Sequence, residues 1–159
     1  KSKFFIGPQS GVDKIASFLG KPIVFINVYH YLSIPTYLND CFFIPMKIYD
    51  TKQNRFLLLS EMTDLNYKKI TGTNIAAGLY DRTEYFEDNN LKIIHNSPEE
   101  ILNVVKEMTL YLENKLVLSK EDNNKQQQFW LIMEKAGQKR QDTFFISPSF
   151  LKQNPFLLE

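Results

Sequence analysis

Ser10 and Gly11 are the residues best placed, by type and spacing, to do chemistry. They close the run Phe4-Phe5-Ile6-Gly7-Pro8-Gln9-Ser10-Gly11, in which three apolar residues give way to a Gly-Pro stop and then to a capped helix. A strand that turns directly into a helix leaves the first helical N–H groups without intrahelical acceptors and sets the positive end of the helix dipole at the turn. That combination holds an anion, phosphate above all. Gly11 lets the main chain approach such a ligand closely and Ser10 offers a hydroxyl, with Gly7, Gln9 and Val12 completing the candidate phosphate-binding set. The same residues suit a plain structural cap. Asp13, three places after Ser10, completes the [Ser/Thr]-x-x-[Asp/Glu] form of a capping box, and its charge would repel a phosphate beside it. Both readings stay open at this level.

The elements needed to position that turn are legible on either side of it. Val12, Ile15, Ala16 and Leu19 fall at i, i+3, i+4 and i+7, which predicts a short helix with its apolar face on a sheet. Gly20 lies where the chain can turn left-handed after the helix, and Pro22 prevents continuation. Pro22 to Ile26 is a β-branched and aromatic run of the kind found in parallel strands covered on both faces. Strand, loop, helix and strand in this order read as half of a nucleotide-binding α/β sheet. Asn27 to Pro45 then follows the carboxyl end of a buried strand, where open α/β sheets place ligand loops. Asn27, Tyr29, His30 and Asp40 are the candidates there for contacts to a nucleoside or sugar, and Tyr29 and Tyr31 have rings that stack on a base. Asp40 with Lys47 and Glu61 offers further groups for hydroxyls. Each of these also has an ordinary reading as packing or solvated surface.

Farther on, Phe42–Ile44 reads as a short extended piece, and Arg55–Met62 fits a strand or a helix equally. Leu91–His95 reads as a strand. Asn96-Ser97-Pro98-Glu99-Glu100 carries a strong helix start, with Ser97 as cap, Pro98 at the first helical position and Glu100 closing the box. Ile101, Val104, Val105, Met108 and Leu112 mark its buried face to about Asn114, which leaves Glu99, Glu100 and Glu107 on the solvated side. Lys120–Gln128 reads as a polar helix start or linker, and Phe129, Ile132, Met133 and Ala136 return to helical spacing. Phe144–Ile146 precedes another capped start at Ser147-Pro148.

Composition narrows the function classes. The chain has 159 residues, 19 basic and 18 acidic side chains and a formal charge of +1, so it carries no electrostatic footprint for nucleic acid. Only Arg55, Arg82 and Arg140 are arginines, which argues against a bidentate phosphate clamp. Cys41 is the sole cysteine and the two histidines, His30 and His95, have no carboxylates at ligand spacing, so no metal site and no cofactor are expected. No apolar run reaches the ~18–20 residues of a membrane span and no signal pattern opens the chain. The expected location is the cytoplasm, with the inner face of the membrane as an option. The chain opens Lys1-Ser2-Lys3 and enters a strand at once, so a sheet begun at Phe4 has few strands. The expectation is that an N-terminal lobe is missing.

Gly7 to Pro22, Gly-Pro-Gln-Ser-Gly-Val-Asp-Lys-Ile-Ala-Ser-Phe-Leu-Gly-Lys-Pro, resembles the donor-phosphate motif of GT-B glycosyltransferases of the heptosyltransferase type. Their loop reads Gly-Asp-[Ser/Thr]-Gly before a helix ending Leu-Gly-Lys-Pro. The chain is similar, over nearly its whole length, to the C-terminal halves of a group of bacterial glycosyltransferases. The matching pieces are Phe5 to Gly11, Asn39-Asp40, Ile44-Pro45, Asn96 to Ile101, Phe129-Trp130 and Ser149 to Asn154. Two positions depart from the pattern: Gln9 stands where an acid is usual, leaving that contact neutral, and Lys14 stands where heptosyltransferases often carry histidine.

The resemblance implies an α/β fold, the partial Rossmann-like C-terminal lobe of a GT-B enzyme, with a parallel sheet flanked by helices. Residues 1–116 would form the donor-binding lobe, incomplete at its N-terminus, and residues 117–159 a C-terminal helical extension. It implies a nucleotide-diphosphate sugar as substrate, a glycan or lipid-linked acceptor, and a general base on the missing lobe, so that this chain alone would not turn over. Two alternatives remain. Non-hydrolysing nucleotide-sugar epimerases use a similar fold and a Ser-Gly loop, although Val12-Asp13-Lys14 does not match their pattern. A noncatalytic α/β interaction domain would use Ser10 only as a cap.

Overall fold

The computed structural model describes residues 2–28, 40–64 and 83–159. In chain order the described elements begin β1 (Phe5–Gly7), α1 (Gly11–Phe18), β2 (Ile23–Val28), β3 (Cys41–Pro45), β4 (Lys47–Asp50), β5 (Arg55–Phe56) and α2 (Leu59–Asp64). They continue α3 (Thr83–Asp88), β6 (Leu91–Ile94), α4 (Pro98–Leu112), α5 (Lys120–Lys135), β7 (Phe144–Ile146), α6 (Pro148–Gln153) and a closing 3-10 turn, Pro155–Leu158.

The main sheet is parallel throughout, in the order β1-β2-β3-β7, with Gly7 beside Phe25, Phe25 beside Phe43 and Phe43 beside Ile146. Every residue of β3 is buried, as a central parallel strand requires. Because side chains alternate along a strand, Phe42 and Phe43 point to opposite faces. Phe42 meets Tyr111 of α4 edge-on and stacks on Phe145, while Phe43 packs on Phe129 of α5 and Phe144. Helices therefore cover both faces, giving an α/β fold of generic Rossmann-like topology. Phe42, Phe43 and Phe129 are fully buried, and each contributes about 2–3 kcal/mol through removal of apolar surface from water.

Met46 alone separates β3 from β4, where the chain leaves the parallel sheet for a second, antiparallel one ordered β5-β4-β6. The strand expected at Leu91–His95 forms over Leu91–Ile94, but it pairs here, Ile94 opposite Lys47, rather than in the main sheet. Arg55–Met62 proves to be both strand and helix in succession, β5 and then α2. Lys120–Gln128 is no linker: it forms the first half of one 16-residue helix, α5, capped by Ser119. The expected C-terminal helical extension also contributes β7, the edge strand beside β3.

The largest correction concerns α1. Its predicted apolar face does not lie on the sheet: Val12, Ile15 and Leu19 are 57%, 61% and 63% exposed, and Phe18 is 92% exposed. Only Ala16 and the Asp13 side chain are buried. β1 has β2 on one side and, among the described residues, no strand on the other. The apolar stripe has formed as its spacing dictates, but among the described residues nothing covers it beside β1.

Candidate functional site

All four strands of the main sheet end on the same side, so the Gly7–Gly11 turn, Asn27, Pro45 and Ser147 lie along one rim. At the turn, Ser10 is extended and exposed, and its backbone N–H donates to the Asp13 carboxylate at 2.8 Å. That N–H is therefore already used by the helix's own acid. The N–H groups of Gly11 and Val12, the first two residues of the helix, have no acceptor within it. Both residues are exposed, and a Cβ built on Gly11 would meet nothing within 4 Å, so space for a ligand is open there. Gly7 serves a different need. A Cβ there would lie 2.8 Å from the Phe5 ring, so the glycine makes room for its own neighbour. Gln9 is half-buried in the turn.

Asn27 reaches the same rim, on the strand next to β1, in a left-handed conformation with φ of 50° that asparagine tolerates better than most residues. Its side chain is committed to structure. Asn27 Oδ1 accepts from the Asn96 N–H at 2.8 Å, the Asn96 Oδ1 accepts from the Asn27 N–H at 2.6 Å, and Asn96 Nδ2 donates to the Pro45 carbonyl at 2.7 Å. One buried side chain thus ties the ends of β2 and β3 to the start of α4.

Asp40 sits elsewhere. It immediately precedes β3, at the amino ends of the strands, where Tyr111 Oη donates to its carboxylate at 2.8 Å. Burial, reinforced by that carboxylate, pushes the Tyr111 hydroxyl up to about 12. Lys47 and Glu61 are not gathered with Asp40 either: Lys47 pairs with Glu100 and Glu61 with Arg55. Tyr29 and His30 lie outside the described residues. The structure therefore brings Gly7, Gln9, Ser10, Gly11, Val12 and Asn27 to one rim and places Asp40 at the other end of the sheet.

Two further helix starts reach this rim, and both are closed by carboxylates that the helical pattern had left on the solvated side. Glu100 and Glu107 are buried; only Glu99 faces solvent. Glu100 accepts from the Ser97 N–H at 2.7 Å, from Lys47 Nζ at 2.6 Å and from Asn154 Nδ2 at 3.0 Å. Burial opposes its charge, but those donors outweigh it and hold the carboxyl below its ordinary range. Glu107 accepts from the Ser147 hydroxyl at 2.5 Å and the Ser149 N–H at 2.7 Å, capping α6 from outside. Here burial wins and the carboxyl is raised. Spacing carried the missing signal: Glu100, Val104, Glu107 and Met108 fall at i, i+4, i+7 and i+8, and all four are buried.

Among the described residues no group of three or more His, Cys, Asp or Glu side chains gathers to hold a metal ion. No helix among them is long and apolar enough to cross a membrane. Comparison with protein-family models, with curated proteins and with solved structures gives no match.

Proposed function

We propose that the chain is the donor-binding half of a GT-B-type glycosyltransferase, holding a nucleotide-diphosphate sugar by its diphosphate at the start of α1. The observation that supports this best is the open, exposed turn at Gly11, where a parallel strand delivers unpaired N–H groups to the rim of the sheet. In this reading the Gly11 and Val12 N–H groups, the helix dipole and the Ser10 hydroxyl meet the diphosphate and stabilise the charge that grows on it as the glycosidic bond breaks. The acceptor is a glycan or a lipid-linked sugar. The general base that deprotonates its hydroxyl belongs to an N-terminal lobe, and the chain alone gives no turnover.

One observation favours a second reading, a noncatalytic domain in which Ser10 only caps α1. Asp13 is buried and already accepts from Ser10, so part of the helix end is neutralised from within. Calorimetric titration with UDP, ADP, GDP and CMP separates the two. The donor reading expects one of them to bind and Gly11→Val to weaken it about tenfold or more, with stability within about 1 kcal/mol because the new side chain enters open space. Absence of binding by all four nucleotides, or binding that survives both Ser10→Asp and Gly11→Val, removes the donor reading. Product analysis on a chain carrying both lobes distinguishes transfer from epimerisation.

A further inference from the structure

Beside β1 the protein keeps a groove of about 390 Å³ lined by Phe4, Phe5, Ile6, Val12, Ile15 and Leu19. Ile6 is itself 41% exposed. With Val12, Ile15 and Leu19, each more than half exposed, it forms one apolar patch facing water, as interaction surfaces do. Among the described residues no strand pairs with the outer edge of β1, which runs along the same groove, an arrangement that accepts an added strand. Charge marks one end. Lys3 and Lys21 stand at the amino ends of β1 and β2, Lys21 lining the groove. Among the described residues Lys3 has only Glu113, at 3.8 Å, and Lys21 is in no ion pair.

We propose that this edge is a docking surface for an extended apolar segment with carboxylates at one end, which adds to the sheet as a strand beside β1 with its acidic end at Lys3 and Lys21. Apolar side chains of the segment cover Ile6, Val12, Ile15 and Leu19, and its carboxylates answer the two lysines. A second copy of the chain is a poorer occupant. Antiparallel pairing of two β1 edges would set Lys3 and Lys21 against the Gly7–Ser10 turn, whose nearest carboxylate, Asp13, is buried and hydrogen-bonded to Ser10. The inference does not rest on the donor-binding reading, although Val12 belongs to both surfaces, its N–H at the helix start and its side chain in the groove, so Ile15→Asp is the variant that tests the groove alone.

The probe is a blocked, fluorescently labelled peptide of two glutamates followed by Val-Thr-Val-Ile-Val, titrated against the full chain by anisotropy. Saturable binding is expected, about tenfold weaker for a peptide with lysines in place of the glutamates and about tenfold weaker for Lys21→Glu protein. Ile15→Asp and Val12→Asp, both at exposed positions, should abolish binding while leaving the melting temperature unchanged. Absence of saturable binding, binding indifferent to the aspartate substitutions, or equal affinity for the lysine peptide overturns the proposal. So does a concentration-dependent dimer in sedimentation that Ile15→Asp dissociates, because the groove would then belong to a second copy.

Discussion

Lys47→Met is the substitution whose cost the structure defines most sharply. Lys47 Nζ lies 2.6 Å from Glu100 Oε1, with the lysine side chain 13% exposed and the glutamate 5%. Removing the cation leaves a buried carboxylate with two neutral donors, the Ser97 N–H and Asn154 Nδ2. Breaking a buried pair from one side costs about 3–5 kcal/mol; the two remaining donors put the expected loss at the lower end, about 3 kcal/mol. Glu100→Gln should cost less, about 2 kcal/mol, because the lysine left behind is nearer to water. The double variant should recover part of the sum, a coupling of about 1–2 kcal/mol. Urea denaturation followed by circular dichroism measures all four proteins. The pH dependence adds an internal check. Glu100 is held below its ordinary range in the fold, so its contribution is complete above the unfolded value near 4.5 and is lost as pH falls through the lower folded value. Without Lys47 the carboxyl must rise, so the gap between wild type and Lys47→Met should narrow in acid. A loss under about 1 kcal/mol, or a gap that is flat from pH 7 to pH 3, would refute the reasoning.

Tyr111 should ionise late: with its hydroxyl pushed to about 12, alkaline difference absorbance should show a tyrosine lagging the others, and Tyr111→Phe should remove that lag. Glu107 behaves in the opposite sense to Glu100. Its raised carboxyl contributes most below the unfolded value near 4.5 and that contribution disappears as pH rises through the folded value, so Glu107→Gln should flatten the stability profile in that window, measured by thermal melts. Phe43→Ala, at a fully buried ring packed on Phe129 of α5 and Phe144 of β7, should cost about 3–5 kcal/mol, whereas Phe18→Ser at a 92% exposed position should stay within about 0.5 kcal/mol in the same assay.

Local signals were reliable wherever local chemistry decides the structure. Ser97, Pro98 and Glu100 announce α4 because cap and box are satisfied within four residues, and Gly20 takes the left-handed turn its type permits, with φ of 64°. What failed was whatever depends on a distant partner. The α1 stripe is a property of α1, but its burial is a property of what stands beside β1. Lys47-Ile48-Tyr49-Asp50 has too little apolar alternation to announce a strand, and becomes one because Leu91–Ile94 pairs with it. Beside the apolar stripe Glu100 and Glu107 read as solvated, yet Lys47 and Asn154 for the first, and Ser147 and Ser149 for the second, arrive from far along the chain to satisfy them. At the candidate site the turn itself is legible in the sequence, whereas the tie that Asn27 makes and the place of Asp40 away from the rim are not. Those placements follow from strand direction, which no short window contains.

The exchange between Asn27 and Asn96 joins residues 69 apart in the chain. A closure that long costs considerable loop entropy before it returns any bonding, so it belongs late in folding, after the strands it fastens have assembled. Such a latch governs how fast the molecule comes apart more than how fast it comes together. Asn96→Ala should therefore steepen the loss of the native state over time while leaving the refolding rate nearly untouched, making this one amide a determinant of lifetime rather than of assembly.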